Sequence, residues 1–240
     1  MADIYFLSKH IYFCDFRDGT IFLDLRTNRY FAIQSHDMLA LRQHVHGFAG
    51  NHASVLPPGE SHEGSADAIV HRLLANGVLT HSAADGKPAS PVVLSIDPHP
   101  RASGSTGSLS VRAPHVLNFL RSLLRASISI RSLHVETFLA HHRAVKLDRS
   151  TSPTSRSLER VDQLLRIFNH LRLWAYTATD ACLLDTLTLA DFLRRYDLTS
   201  TVVIGVRTNP FGAHAWAQWE SFVLNDTPDH VRRFRPLLAL

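Results

Sequence analysis

Three residues in the last sixty positions are of the types that thiol-dependent acyl chemistry requires. Cys182 opens an apolar segment, His214 lies in a later run of β character, and Asp226 lies in the run after that. A cysteine becomes a strong nucleophile once a base removes its proton, and a carboxylate can hold that base in the correct tautomer. Thr179 and Asp180 are both N-cap types, so a helix is expected over 182–195 with Cys182 in its first turn. Free backbone N–H groups and the positive end of the helix dipole lower a thiol's pKa at that position. The Cys182 N–H is also a natural donor to an oxyanion there. Leu183, Leu184, Leu187, Leu189, Phe192 and Leu193 cover most of this helix's circumference, which predicts a central, buried element. Composition alone leaves open the plainer alternative, that Cys182 is one more small core residue.

The elements after the helix sharpen the choice. Thr201 to Val206 is a strong β run, and Ala213 to Gln218 with Phe222 to Asn225 reads as a hairpin about residues 219–221. Pairing symmetric about Glu220 sets His214 opposite Asp226, Trp216 opposite Leu224 and Gln218 opposite Phe222. Directly opposed side chains lie about 4.5–5.5 Å apart at Cβ, close enough for a carboxylate to hold an imidazole. Strand parity turns Asn225 to the other face, and a slip of one residue would exchange the two.

Composition excludes several other functions. With 45% hydrophobic and 19% charged residues among 240, the chain reads as an ordinary globular protein. A net charge of +4 without a basic motif gives no reason to expect nucleic acid as a partner. No stretch of 18 apolar residues exists, so no membrane span is expected. Asp3 stands where a signal peptide needs a base, and Lys9 and His10 interrupt the apolar run. Cys14 and Cys182 read as free thiols in separate domains, which fits a cytoplasmic location. The sixteen histidines are scattered: His44 and His46 lie two apart, His141 and His142 are adjacent, and neither Cys-x-x-Cys nor His-Glu-x-x-His occurs. No metal is therefore expected. The absence of a phosphate-binding Gly-rich loop means that no nucleotide cofactor is expected either.

The scaffold must position those residues. Strands are predicted over 11–16, 20–25 and 29–33, joined at Asp18-Gly19 and Thr27-Asn28 as an antiparallel meander. A helix should start at Ser35, a loop should follow over 47–64, and a second helix should run from near Ser65 to Asn76-Gly77. Together these make a small α+β, winged-helix-like unit over residues 1–82. Residues 83–108, with Pro91, Pro98, Pro100 and a Ser/Gly run, read as a linker to a second domain over 109–240. That domain begins with three helices. The first carries Val116, Leu117, Phe119, Leu120, Leu123 and Leu124; the second carries Leu133, Val135, Phe138 and Leu139; the third runs from Leu158 to Leu171 after a polar break over 151–157. Arg112, Arg121, Arg125 and Arg131 make the region basic, as a solvated face or a docking surface.

Two resemblances follow from these residues. Asp18-Gly19, Phe22-Leu23-Asp24-Leu25-Arg26, Arg29-Tyr30-Phe31-Ala32-Ile33 and Asn76-Gly77-Val78-Leu79 resemble the PqqD-like peptide-recognition domain. In that family a leader peptide adds to the third strand and lies against the last helix. The resemblance thereby implicates Arg29, Tyr30, Phe31, Ala32 and Ile33, with Ile69, Arg72 and Leu73 on the helix. Trp174-Ala175-Tyr176-Thr177, Asp180-Ala181-Cys182-Leu183, the string from Gly205 to Trp216 and Val223-Leu224-Asn225-Asp226 are similar to the lasso peptide biosynthesis B protein. Its catalytic half is a transglutaminase-like, papain-like cysteine protease, and the resemblance sets the triad on Cys182, His214 and Asp226. Thr186 departs from it, since members often carry serine after the equivalent of Asp185.

The implied fold is α+β in both domains, and the implied activity is that of a leader peptidase. The implied partners are a ribosomally made precursor and an asparagine-synthetase-like lasso cyclase, with any ATP dependence arising through that cyclase. Tyr176 and Trp216 are candidates to donate to the oxyanion or support the site. A non-catalytic scaffold and an acyl transferase to an amine are the alternatives.

Overall fold

A computed structural model of the chain describes residues 4–42, 44–48, 63–97, 109–132, 135–148, 155–176 and 181–240. The chain divides into two units, Met1–Val92 and Val93–Leu240.

The first unit is built on the predicted meander. Strands β2 (Ile11–Phe16), β3 (Gly19–Asp24) and β4 (Arg29–Gln34) follow β1 (Phe6–Ser8) and form an antiparallel sheet in the order β2-β3-β4. Its register aligns Phe13 with Phe22 and Phe22 with Phe31, a cross-strand aromatic row. The Phe22 and Phe31 rings stack at 5.1 Å. In the turn before β4, the Asp24 carboxylate accepts from Arg26 N–H at 2.9 Å and from the Thr27 hydroxyl at 2.8 Å. Asn28 takes a φ of 52° there, a conformation that Asn tolerates better than most residues. Helices α1 (Ser35–Arg42) and α2 (Glu63–Ala75) begin and end close to their expected positions. The part of the predicted loop over 49–62 lies outside the described residues.

A second small sheet extends this unit beyond its expected end. Strands β5 (Leu79–Thr80) and β6 (Gly86–Lys87) flank β1 on its two edges. Ala89 is fully buried, and its N–H donates to the His46 carbonyl at 2.9 Å. The expected linker over 83–108 is therefore structured at its start. Two-residue strands are too short to show periodicity, so no pattern in the sequence marks them. Its later residues Leu94 and Ile96 pack on the second unit's apolar cluster, and Asp97 N–H donates to the Ser221 carbonyl at 2.8 Å.

The second unit holds helices α3 (Ala113–Arg131), α4 (Val135–Asp148), α5 (Ser155–Arg172) and α6 (Cys182–Arg194). Its sheet comprises β7 (Thr201–Thr208), β8 (Phe211–Trp219), β9 (Phe222–Val223) and β10 (Arg235–Ala239), in the order β10-β7-β8-β9. A one-turn helix, α7 (Pro228–Val231), stands between the last two strands. As its all-round apolarity predicts, α6 is the central helix: residues 185–193 are all buried, and it packs on α3, α5 and the sheet. At Gly205 a Cβ would stand 2.9 Å from the Trp216 ring and 3.0 Å from Phe234, so only glycine lets these rings cross β7.

Helix α3 buries a different face from the one its leucines suggest. Phe119, Ser122 and Ala126 turn inward, whereas Leu117, Leu120, Leu124 and Ile128 are exposed. The buried polar member explains the choice. Ser122 donates to Asp191 of α6 at 2.9 Å, and Arg125, Arg194 and Arg195 close on the same carboxylate at 3.3, 2.8 and 2.9 Å. Burial pushes the Asp191 carboxyl up, but the bonds from Arg194 and Ser122 outweigh it and hold its pKa below the usual range. Arg125, read as part of a solvated or docking face, is thus tied from a half-exposed position to a buried carboxylate. Replacing Asp191 by Asn should strand these cations and cost about 3 kcal/mol of stability, read from urea unfolding.

Candidate active site

Helix α6 begins at Cys182, directly after its N-cap Ala181, which offers no side-chain bond. The expected caps Thr179 and Asp180 lie outside the described residues. Strand β8 brings His214 to the Cys182 thiol, and the nearby N–H groups of Ala215 and Leu183 also favour the thiolate. The His214 bond is the main cause lowering the Cys182 pKa; burial opposes it and the backbone donors assist. Burial depresses the His214 pKa, but bonds to Asp226 and Cys182 overcome this and raise it to about 9. Asp226 completes the chain, with its Oδ2 2.5 Å from His214 Nε2. Its pKa falls to about 2, because the bonds from His214, His230 and Thr227 N–H outweigh its burial. His214 thus donates through Nε2 to the carboxylate and is left with Nδ1 for the thiol. The opposed shifts favour a thiolate–imidazolium pair at neutral pH.

The hairpin reaches this arrangement by another route than the one expected. Gln218 pairs with Val223 and Trp219 with Phe222, one residue away from pairing symmetric about Glu220. Glu220 adopts a φ of 53°, which closes the loop within two residues. By strand parity that slip would hand the triad position to Asn225. It does not, because β9 ends at Val223 and the chain bends away. Leu224 N–H still donates to the Ala217 carbonyl at 2.9 Å, but Ala217 N–H is taken by the Asn225 side chain at 2.8 Å. The Asn225 amide then donates to Asp185 at 2.8 Å and to Thr186 Oγ1 at 3.1 Å on α6. Asn225 therefore faces the helix while Asp226 faces His214.

Asp185, one turn below Cys182, gathers the surrounding elements. It is 1% exposed and accepts from Arg172 of α5 at 3.1 Å, from the Tyr176 hydroxyl at 3.0 Å and from Asn225. Tyr176 is thereby engaged as a support. Its burial and the neighbouring Asp185 carboxylate push its pKa well above that of a free phenol. Trp216 is fully buried in a cluster with Val203, Val231 and Phe234, with its ring 6.1 Å from that of His214. It is a wall for the imidazole and has no exposed surface to offer an oxyanion.

The sequence reading missed His230, whose Nδ1 stands 2.7 Å from the same Asp226 oxygen. The available signal was Thr227-Pro228, a helix-start pair that sets His230 one turn beyond Asp226. Among the described residues, His214, Asp226 and His230 are the group whose ligand atoms converge enough to hold a metal ion, within 4.8 Å of one another.

In the first unit, the residues suggested for a leader divide by exposure. Arg29, Ala32 and Arg72 are exposed and Tyr30 and Phe31 half-buried, while Ile33, Ile69 and Leu73 are core residues. Ile69 and Leu73 therefore offer no surface, because helical spacing marks the buried side of α2. His71 and Arg72 mark its outer side.

Compared with known families, residues 121–239 match the transglutaminase-like superfamily. The C-terminal unit is a transglutaminase-like domain, of a superfamily whose general chemistry is that of cysteine proteases and acyl transferases. No curated protein and no solved structure matches the chain.

Three experiments test this geometry. The kcat/KM profile should fall on the alkaline side near pH 9, as the His214 imidazolium loses its proton. Asp226→Asn should move that limb down by about a unit or more and lower kcat on the order of a thousandfold. Asn225→Ala should cost about 1–3 kcal/mol in urea unfolding. It should also lower kcat about a hundredfold, because it frees the bend that holds Asp226.

Proposed function

We propose that the chain is the leader peptidase of a lasso peptide pathway, acting in the cytoplasm on a ribosomally made precursor. The Cys182–His214–Asp226 constellation on a transglutaminase-like domain is the observation that carries this reading. The PqqD-like resemblance of the first unit supports a delivery role for it. So does the position of β4 at the end of the β2-β3-β4 sheet, where a peptide could add as a further strand. On this reading Arg29, Tyr30 and Ala32 of β4 and Arg72 of α2 are the leader contacts.

The chemistry follows from the assigned protonation. His214 Nδ1 takes the Cys182 proton, and the thiolate attacks the carbonyl of the last leader residue. Asp226 stabilises the resulting imidazolium and keeps its ring oriented. As the tetrahedral species collapses, the C–N bond breaks, and the proton on Nδ1 passes to the departing amine of the core peptide. The leader remains as a thioester on Cys182. A water deprotonated by His214 then releases it as a carboxylate. The freed core passes to the asparagine-synthetase-like cyclase, where ATP is consumed.

Incubation of the protein with a precursor peptide, with and without the cyclase, followed by mass measurement, tests the reading. Leader release by the wild type and its loss in Cys182→Ala and His214→Ala are expected. Unchanged release by Cys182→Ala rules out the protease, and a delivery scaffold then accounts for the chain. A leader product bearing an added amine in place of a free carboxylate identifies acyl transfer.

A further inference from the structure

Within the catalytic unit, one imidazole has no task in the steps above. His230 approaches Asp226 Oδ2 at 2.7 Å, although the carboxylate already accepts from His214 at 2.5 Å and from Thr227 N–H at 2.6 Å. Orienting the base requires one imidazole, not two. The geometry points to a second use of this cluster: His214 Nε2, Asp226 and His230 Nδ1 form a site for a zinc-class divalent cation that reversibly switches the triad off.

Three observations carry the inference. First, the donors converge, with all three ligand atoms within 4.8 Å of one another. They come from three separate places, namely β8, the bend after β9, and α7. Small side-chain rotations bring them to the roughly 2.0–2.2 Å that zinc takes from imidazole nitrogen and carboxylate oxygen. Second, the donor chemistry is selective. Two imidazoles and one carboxylate suit zinc and its borderline neighbours rather than calcium or magnesium, and three protein ligands leave a fourth position for water. Third, the rings are held and the site is reachable. Thr227 Oγ1 accepts from His230 N–H at 3.3 Å, fixing the start of α7. The His230 ring packs edge-on to Phe234 at 5.4 Å and to His214 at 4.8 Å. Its side chain is 42% exposed against 16% for His214 and 17% for Asp226, which gives an ion an entry from the His230 side.

Occupancy removes two functions at once. His214 Nε2 gives its proton to solvent and its lone pair to the metal, so the Asp226 hydrogen bond that fixes the ring is lost. A cation bonded to one ring nitrogen also withdraws electron density from the other. Nδ1 then becomes a weaker base toward the Cys182 thiol. Cys182 itself is not a ligand, so the off state differs from direct capture of the thiolate by a heavy metal. The three residues match no contiguous ligand motif, so residue spacing alone carries no signal for such a site.

The test uses the full chain, freed of metal by a chelator, and does not depend on any substrate. Zn2+ competition against a chromophoric chelator should show one ion per chain. Cobalt(II) should give visible d–d bands without the near-ultraviolet thiolate charge-transfer band. His230→Ala and His230→Gln should each weaken binding by about tenfold or more. Cys182→Ala should bind as the wild type does. Circular dichroism identifies any variant that fails to fold, and His230→Gln, which can still donate to Asp226, is the milder probe. Absence of stoichiometric binding, unchanged affinity in folded His230→Gln, or a thiolate band lost in Cys182→Ala would each overturn the inference.

Discussion

The buried carboxylate of Asp185 is the constraint on which the catalytic unit depends. It sits on the central helix one turn from Cys182 and accepts from α5 through Arg172, from the segment after α5 through Tyr176, and from the bend after β9 through Asn225. A charge taken out of water must be surrounded by donors or it destabilises the fold. Meeting that demand brings together the helix that carries Cys182 and the bend that carries Asp226. Asn225 connects the two requirements, because its carbonyl oxygen also caps the Ala217 N–H that the ending strand leaves open.

At the other end of α6, Asp191 repeats the device with different partners. Ser122 and Arg125 reach it from α3, and Arg194 and Arg195 from its own helix. The helix is thus anchored by a buried acid near each end, with Thr186, Leu187, Thr188, Leu189 and Ala190 buried between them. Such anchoring suits a helix whose first residue must hold a thiol within hydrogen-bond reach of a histidine on a neighbouring strand. Small displacements at that distance are costly to proton transfer.

Electrostatics within the site follow from this rigidity. The Asp226 carboxylate is ionised well below neutrality, and it raises the basicity of His214 against the effect of burial. His214 in turn lowers the thiol pKa, helped by the N–H groups of Ala215 and Leu183. Each group is tuned by the next, so the three behave as one titrating assembly. His230 shares the Asp226 oxygen on which the others depend.

Much of this was legible in the sequence where the signal is local. Asp18-Gly19 and the alternating apolar residues located the N-terminal meander, and the all-round apolarity after Cys182 located the central helix. The types and order of Cys182, His214 and Asp226 picked out three residues that the structure brings together. Tertiary structure decided what depends on contacts between distant segments. The hairpin register slipped by one residue, yet Asp226 kept its role because β9 ends early and Asn225 is drawn to Asp185. Helix α3 turned Ser122 inward and left leucines outside, since a buried carboxylate outweighs a few apolar contacts. Strands β5 and β6 were invisible because two residues carry no period. His230 was missed because the helix that turns it toward Asp226, Pro228–Val231, is a single turn and too short to show a period.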